Sequence, residues 1–322
     1  MTQTPVRIVI HDLFIDEFKP FLDVTHTLKP LGKQSDAEIA DLLCETDVLV
    51  ADVFKRSWRK DHLCAVKLVH STGAGVDGVD ISSLPKGCTL CNVYGHERGM
   101  AELAFMLMTA LQRKLFAIDK LLRKGDWMHQ VPYLPELRYR NLLIIGLGKI
   151  GQELMRWGNF LEMKVTALTR SPEKMRKEDT SHGTVSGLND LTKYLPSADF
   201  VIVAVPATSD TINLIGETEL KQMKPSAFLI NIGRAAVVNE QALYQTLLNR
   251  NIAGAGLDVW YQYPETGQIK LPSSQPFYEL DNVIMTPHKP TIETMDYRWR
   301  EIAANIKRFT KGEPYKSIVH SA

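Results

Sequence analysis

The apolar run Leu142-Leu-Ile-Ile145 leads directly into Gly146-Leu-Gly-Lys-Ile-Gly151, a G-x-G-x-x-G turn, and the chain from Gln152 to Leu161 carries helical patterning. Strand, glycine turn and helix in that order are what a dinucleotide-binding βαβ unit requires. Gly146 permits the tight turn, Gly148 lets backbone come close to a pyrophosphate, and Gly151 lets the helix pack closely on the strand. The helix N-terminus then offers backbone N–H groups to phosphate, and Lys149 and Ile150 of the turn are cofactor-side candidates. The alternative is a glycine-rich loop that merely packs, and a bare glycine triplet would not separate the two. The flanking strand and helix favour the nucleotide site.

A chain of 322 residues exceeds one ordinary core and is expected to form two domains. Its 38 Lys and Arg nearly cancel 37 Asp and Glu, so no long-range field draws it to nucleic acid or an anionic membrane. A small diffusible partner is expected instead. No apolar run reaches bilayer length, and the opening Met-Thr-Gln-Thr-Pro lacks the basic and apolar regions of a secretion signal. The cysteines Cys44, Cys64, Cys88 and Cys91 are few for this length, which fits a reducing compartment; a cytoplasmic protein is expected. Cys88 and Cys91 form a C-x-x-C, but in a strand-like run residues three apart face opposite sides. No second Cys or His pair follows at zinc spacing, so these are read as structural cysteines and no metal site is expected.

Strand-like runs at Val6 to Ile10, Asp47 to Ala51, Lys67 to Ser71 and Thr89 to Val93, with helical patterning at Asp36 to Cys44, predict a first small α/β unit. A second alternating series begins at Leu142. It continues through Lys164 to Leu168, Phe200 to Val205, Ala227 to Asn231, Gly254 to Val259 and Val283 to Thr286, with a helical stretch at Asn239 to Leu248. This is the rhythm of a doubly wound parallel sheet. Met100 to Leu122, free of Pro and Gly, predicts one long connecting helix, and Thr291 to Thr310 a final helix stopped at Lys311-Gly312-Glu313-Pro314.

The motifs resemble the D-isomer-specific 2-hydroxyacid dehydrogenases, a family that includes formate and phosphite dehydrogenases and the C-terminal-binding-protein corepressors. The likeness is carried by Ser71-Thr-Gly-Ala-Gly-Val-Asp77, Ala101-Glu102, the glycine turn, Asn231-Ile-Gly-Arg-Ala-Ala-Val-Val-Asn-Glu-Gln-Ala-Leu243, Gly254-Ala-Gly-Leu-Asp-Val259 and Asn282-Val-Ile-Met-Thr-Pro-His288. It implies an α/β fold of two Rossmann-like or flavodoxin-like domains with parallel sheets. Residues 1–102 and 291–322 would form the substrate domain, the dinucleotide-binding domain would be inserted as residues 103–290, and the active-site cleft would lie between them. The resemblance also implies a homodimer joined through the connecting helix and the aromatic segment Trp127 to Leu137.

Oxidising a secondary alcohol needs a base for the hydroxyl proton, a cation to fix oxygen and carboxylate, and a nicotinamide within hydride reach. Arg234 and His288 follow strand-like runs of the second series, where ligands gather at a parallel sheet's carboxyl ends. Arg234 can offer a planar fork to a 2-oxo acid, and His288 matches the family's acid–base residue. A surface arginine and a structural histidine are the bland alternatives. Amides around Ala74, Gly75 and Val76 are expected to bind the substrate carboxylate as an anion nest, or else to form a plain turn. On the cofactor side the resemblance implies Val205, Pro206, Ile232, Gly233 and Asp258. The histidines His11, His26, His62, His70, His129, His182 and His320 are read as structural or surface groups.

Four positions depart from the family. In Lys164-Val-Thr-Ala-Leu-Thr-Arg-Ser171 the usual ribose-binding acid is missing, and Thr169, Arg170 and Ser171 stand where a 2′-phosphate would lie; NADP(H) is expected over NAD(H), which remains usable. Where relatives carry a glutamate bonded to the catalytic histidine, this chain has Tyr263, a neutral phenol that can orient an imidazole but supplies little charge. Glu265 would replace it only if its loop bends. Tyr94 stands where proline is common, placing Tyr94, His96 and Arg98 as candidates for shaping substrate choice, with packing against the connecting helix as the alternative. Lys289, Pro290, Tyr297 and Trp299 are further candidates, and Tyr139 replaces a glycine without a functional explanation. The leading expectation is NADPH-dependent reduction of a small 2-oxo acid, such as glyoxylate or hydroxypyruvate, to the D-2-hydroxy acid. Formate- or phosphite-type oxidation and a dinucleotide-gated dimeric binding module are the alternatives.

Overall fold

A computed structural model describes residues 5–60, 63–127, 133–175, 181–264, 268–289 and 291–321. Two compact units emerge, one formed by Met1–Gly95 with Pro290–Ala322 and the other by His96–Lys289.

The first unit is built on a sheet whose strands lie in the order Thr27–Pro30, Arg7–Ile10, Val48–Val50, Leu68–His70, Thr89–Cys91 and Ile318–Ser321. All pairings are parallel except the last. The first five follow the flavodoxin-like order 2-1-3-4-5. Two of these strands were not anticipated: Thr27–Pro30 and Ile318–Ser321 sit at the sheet edges, carry little buried apolar surface and so lack the patterning that betrays a strand. One face of the sheet packs Val9, Leu49, Val69, Leu90 and Cys88, the other Ile8, Ile10, Val48, Leu68 and Cys91. Cys88 and Cys91 thus enter different cores, as their spacing predicts. The final helix, Ile292–Lys311, is capped by the Thr291 side chain and ends at Gly312 with φ 65°. Its Trp299 is 2% exposed and packs on Phe14 and Phe18, which makes it a core residue and removes it from the candidates for substrate choice.

The second unit carries a fully parallel sheet in the order Thr184–Gly187, Lys164–Thr169, Asn141–Ile145, Phe200–Val203, Phe228–Asn231, Gly254–Leu257 and Val283–Met285. Numbered along the chain this is 3-2-1-4-5-6-7, the doubly wound dinucleotide-binding order with an added strand. Near-continuous apolar strands such as Phe200–Val203 are buried along their length, because helices cover both faces of such a sheet. The expected single helix from Met100 to Leu122 is instead two, Glu97–Gln112 and Leu115–Leu122, separated by Lys114 at φ 49°. Packing sets the break: the first helix places Ala101, Ala104, Phe105, Leu107, Met108 and Leu111 in the core, whereas no residue of the second is buried. Tyr139 adopts φ 63°, a conformation that costs a residue with a Cβ and explains why glycine is usual there.

Candidate active site

In the second unit the strand order reverses between Asn141–Ile145 and Phe200–Val203, and a crevice at the carboxyl ends of such strands is where doubly wound folds bind ligands. Gly146 follows the first of these strands at φ 107°, and a Cβ there would meet the Ala204 carbonyl oxygen at 2.7 Å. At Gly151 a Cβ would lie 2.0 Å from the Gly146 carbonyl oxygen. Both glycines are therefore demanded by the close crossing of turn, helix and neighbouring strand. Gly148 is different: a Cβ built on it meets nothing within 4 Å, so the protein's own packing does not require glycine there. It is the N-cap of the helix Lys149–Phe160, and no side chain caps that helix. Lys149, Ile150 and Gly151 thus begin a helix that starts beside the switch point, and the N-terminus of a helix suits an anionic pyrophosphate. The expected start at Gln152 lies too far along, because the turn feeds straight into the helix.

The remaining cofactor candidates gather around this edge. Ile232 donates its N–H to the Val203 carbonyl at 3.2 Å, and a Cβ on Gly233 would fall 2.7 Å from the Val205 carbonyl oxygen. The loop after Pro206 is tied back by Thr211, whose hydroxyl donates to the Pro206 carbonyl at 2.6 Å. Thr169 ends its strand, followed by the exposed Arg170 and by Ser171. The Arg170 guanidinium sits 3.8 Å from the Asp210 carboxylate, and both help line a cavity of about 390 Å³ with Leu188, Asn189 and Leu214. No sequence signal pointed to Asp210; it lies on a different loop from the strand-end position where an acid is usual.

Three further strand ends carry the candidate chemistry. After Phe228–Asn231, the Asn231 side chain accepts the Gly233 N–H and donates to the Arg234 carbonyl, both at 3.1 Å, fixing the turn that presents Arg234. After Gly254–Leu257 comes Asp258, 2% exposed. After Val283–Met285 come Thr286 and His288. Asp258 Oδ1 accepts the Thr286 hydroxyl at 2.7 Å and the His288 backbone N–H at 3.1 Å. Burial raises the Asp258 carboxyl above the ordinary range, against the lowering effects of Thr286 and His288. His288 adopts φ 53°, a strained conformation of the sort concentrated at functional sites. The Tyr263 hydroxyl lies 2.8 Å from His288 Nδ1. Pro290 and Glu265 lie outside the described residues, as do His62 and His129.

In the first unit, Ala74, Gly75 and Val76 follow the strand Leu68–His70. Their carbonyls are engaged by Asn92 Nδ2, Ser71 Oγ and the Val79 N–H, at 2.8, 2.8 and 2.9 Å, while their amides have no acceptor among the described residues. Neither Gly73 nor Gly75 takes a positive φ, so the loop is not an alternating-handed nest, although it offers donors. The Thr72 N–H donates to Asp52 Oδ1 at 2.7 Å, and the Ser71 hydroxyl, 2.7 Å from the same oxygen, has its one proton shared between that oxygen and the Gly75 carbonyl, an anchor that the motif did not reveal. Tyr94 is half-buried in this unit, and the Tyr297 ring covers Gly95, where a Cβ would lie 2.1 Å from it. His96 opens the helix Glu97–Gln112 of the second unit and is 9% exposed. Among the described residues there is no cluster of His, Cys, Asp or Glu fit to hold a metal ion, and no helix long and apolar enough to cross a membrane.

The D-isomer specific 2-hydroxyacid dehydrogenase NAD-binding domain profile matches residues 105–289. A glyoxylate reductase of Korarchaeum cryptofilum is 31% identical over 96% of this chain and 89% of its own. An acyclic imino acid reductase, Bsp5, solved with NADPH and D-Arg, superposes with a TM-score of 0.80 at 25% identity, over 98% of this chain and all of that one. The 2-hydroxyacid dehydrogenase of Ketogulonicigenium vulgare shares the fold at a TM-score of 0.82 and 24% identity, over 100% of this chain and 99% of that one. The glycine turn at the switch point, the Arg234, Asp258 and His288 edge and these likenesses converge: the chain belongs to the D-isomer-specific 2-hydroxyacid dehydrogenases, nicotinamide-dependent oxidoreductases acting on CH–OH donors.

Proposed function

We propose that this protein reduces a small 2-oxo acid, of the glyoxylate or hydroxypyruvate kind, to the D-2-hydroxy acid with NADPH. The observation that carries this reading is the convergence of Arg234, Asp258 and the Tyr263–His288 pair on the same sheet edge as the glycine turn. The nicotinamide, when bound, supplies the hydride to the carbonyl carbon. His288 gives its proton to the carbonyl oxygen, so that hydride and proton together complete the hydroxyl-bearing carbon. Arg234 holds carboxylate and carbonyl oxygen by its fixed fork. The amides of Ala74, Gly75 and Val76 are assigned to the carboxylate, Tyr94 and His96 to substrate choice, and Val205, Pro206, Ile232 and Gly233 to the cofactor side.

NADPH is preferred in this reading because Thr169, Arg170 and Ser171 offer a cation and hydroxyls where an acid would repel a 2′-phosphate. Residues 1–102 and 291–322 are assigned to substrate and 103–290 to cofactor, although residues 96–102 pack with the second unit. A homodimer is proposed from the exposed apolar residues Met106, Leu115, Phe116, Leu122 and Trp127, and a cytoplasmic location from the few cysteines; part of the segment Trp127 to Leu137 lies outside the described residues. A second reading, hydride abstraction from formate or phosphite, draws on Tyr263, because a neutral partner suits a substrate with no hydroxyl proton to remove.

The test is the initial rate of NADPH and NADH oxidation with glyoxylate, hydroxypyruvate, pyruvate and longer 2-oxo acids, with and without ammonium to include imino acids. Turnover favouring NADPH and lost in His288→Ala supports the reading. Reduction of NADP+ or NAD+ by formate or phosphite, without turnover of any 2-oxo acid, transfers it to the second reading, and cofactor binding without any turnover to a binding module.

A further inference from the structure

The oxygen of Tyr263 has two neighbours that fix what it can do. His288 Nδ1 lies 2.8 Å away on one side, and the backbone N–H of Trp260 donates to it at 3.1 Å on the other. A backbone amide can only donate, so one phenol lone pair is taken while its single proton remains to be placed. Among the described residues the acceptor in reach is Nδ1. Trp260 is itself held, its indole N–H donating to the Thr286 carbonyl at 2.8 Å, so the amide that engages the phenol is fixed to the strand end that carries His288.

We propose that Tyr263 is a positioning residue that holds neutral His288 with its proton on Nε2, so that the ring turns an N–H, not a lone pair, toward the substrate. A carboxylate in the same place acts in the opposite sense. It is an acceptor only, selects the Nδ1–H tautomer and leaves Nε2 as a base. Replacing the acid by a phenol therefore inverts the group that the neutral ring presents and removes a charge that would stabilise the imidazolium.

Among the described residues of this unit, charged groups near the ring include Asp258, Arg234 and Lys289. Asp258 meets the His288 backbone N–H and the Thr286 hydroxyl, Arg234 acts electrostatically on Tyr263, and Lys289 is next in the chain. Desolvation raises the Tyr263 pKa, which keeps the phenol protonated and able to donate. Neutral His288 then holds an acceptor oxygen of the substrate by hydrogen bonding, and only the imidazolium gives up a proton. The inference deepens the reductase reading in its consequence for rate, but the tautomer itself does not depend on which acid is turned over.

The experiment is nitrogen-15 NMR of His288 in the full-length protein with NADP+ added, at about pH 9 where a histidine is neutral, on wild type, Tyr263→Phe and Tyr263→Glu. The expected wild-type spectrum has Nδ1 unprotonated and Nε2 protonated; Tyr263→Glu reverses the two, and Tyr263→Phe gives a mixture. In steady-state reduction, the fall of kcat/KM with rising pH is expected to move upward by about one pH unit or more in Tyr263→Glu. A wild-type ring protonated on Nδ1 overturns the proposal, as does a Tyr263→Glu variant in which neither tautomer nor pH limb moves. If no 2-oxo acid is reduced, the reductase reading fails while the spectra still decide the tautomer.

Discussion

Gly148 and Gly151 stand three residues apart in one turn, and alanine at each should fail in different ways. At Gly151 helix propensity alone predicts a gain of about 1 kcal/mol for alanine. The added Cβ, however, would lie 2.0 Å from the Gly146 carbonyl oxygen and 2.9 Å from its carbon, and neither belongs to a side chain that can turn away. Ordinary contact begins near 3.4 Å, so helix and turn must separate by ~1.4 Å. Overpacking of that kind costs about 1–3 kcal/mol or more; a net loss of about 2 kcal/mol lowers the Tm of a unit this size by about 4–8 °C. At Gly148 the Cβ meets nothing within 4 Å, and φ −77° with ψ −164° is open to alanine. Losing a glycine N-cap costs about 0.5–1 kcal/mol, so the ligand-free Tm should fall by no more than about 4 °C. Cofactor affinity should nevertheless fall by about tenfold or more, a loss of about 1.4 kcal/mol, because the methyl fills the space through which a pyrophosphate approaches the helix. Thermal melts with and without NADP+, and fluorescence titration with NADPH, separate the two variants. A Gly148→Ala protein that binds NADPH as wild type does, or a Gly151→Ala protein that melts higher with affinity intact, would refute this account of the turn.

Arg234→Lys keeps the charge but loses the planar fork, and should lower kcat/KM for a 2-oxo acid by about 10²-fold, with Arg234→Ala lower still; equal activity in initial-rate assays would argue against anchoring. Asp210→Asn frees Arg170 from its neighbour 3.8 Å away and should shift the ratio of Kd values about 3–10-fold toward NADPH, whereas Arg170→Ala shifts it toward NADH; both effects should shrink in salt, since the pair is exposed. His70, fully buried between the Ser71 carbonyl and Asn305 Nδ2, has its pKa pushed down from 6.5 to about 4 by desolvation. The unfolded chain therefore binds the extra proton between those values, and stability should fall by about 3 kcal/mol as pH drops through that window. Denaturant titrations of wild type and His70→Gln across the window should show that slope only in the wild type.

The glycine turn was legible because each of its residues answers a local requirement, and the buried strands because continuous apolar runs have few other folds. The edge strands Thr27–Pro30 and Ile318–Ser321 were not, since a strand with little to bury leaves no periodic trace. The break at Lys114 was hidden for a different reason. No breaker residue marks it, and where the helix ends depends on how much core it covers. In the site, Arg234, His288 and Tyr263 could be named from their motifs, but Asp210 and Asp52 could not. Both act across long sequence separations, on Arg170 and on the Ser71 turn, and a single sequence carries no mark of such pairings.

The most direct test of the central claim follows the hydride itself. With [4,4-²H₂]NADPH and glyoxylate, wild type should yield glycolate carrying one deuterium on its carbinol carbon, detected by mass spectrometry, while Arg234→Ala and His288→Ala should fall to background. Unlabelled product, no product with any 2-oxo acid, or labelled glycolate formed by His288→Ala at the wild-type rate would contradict the account.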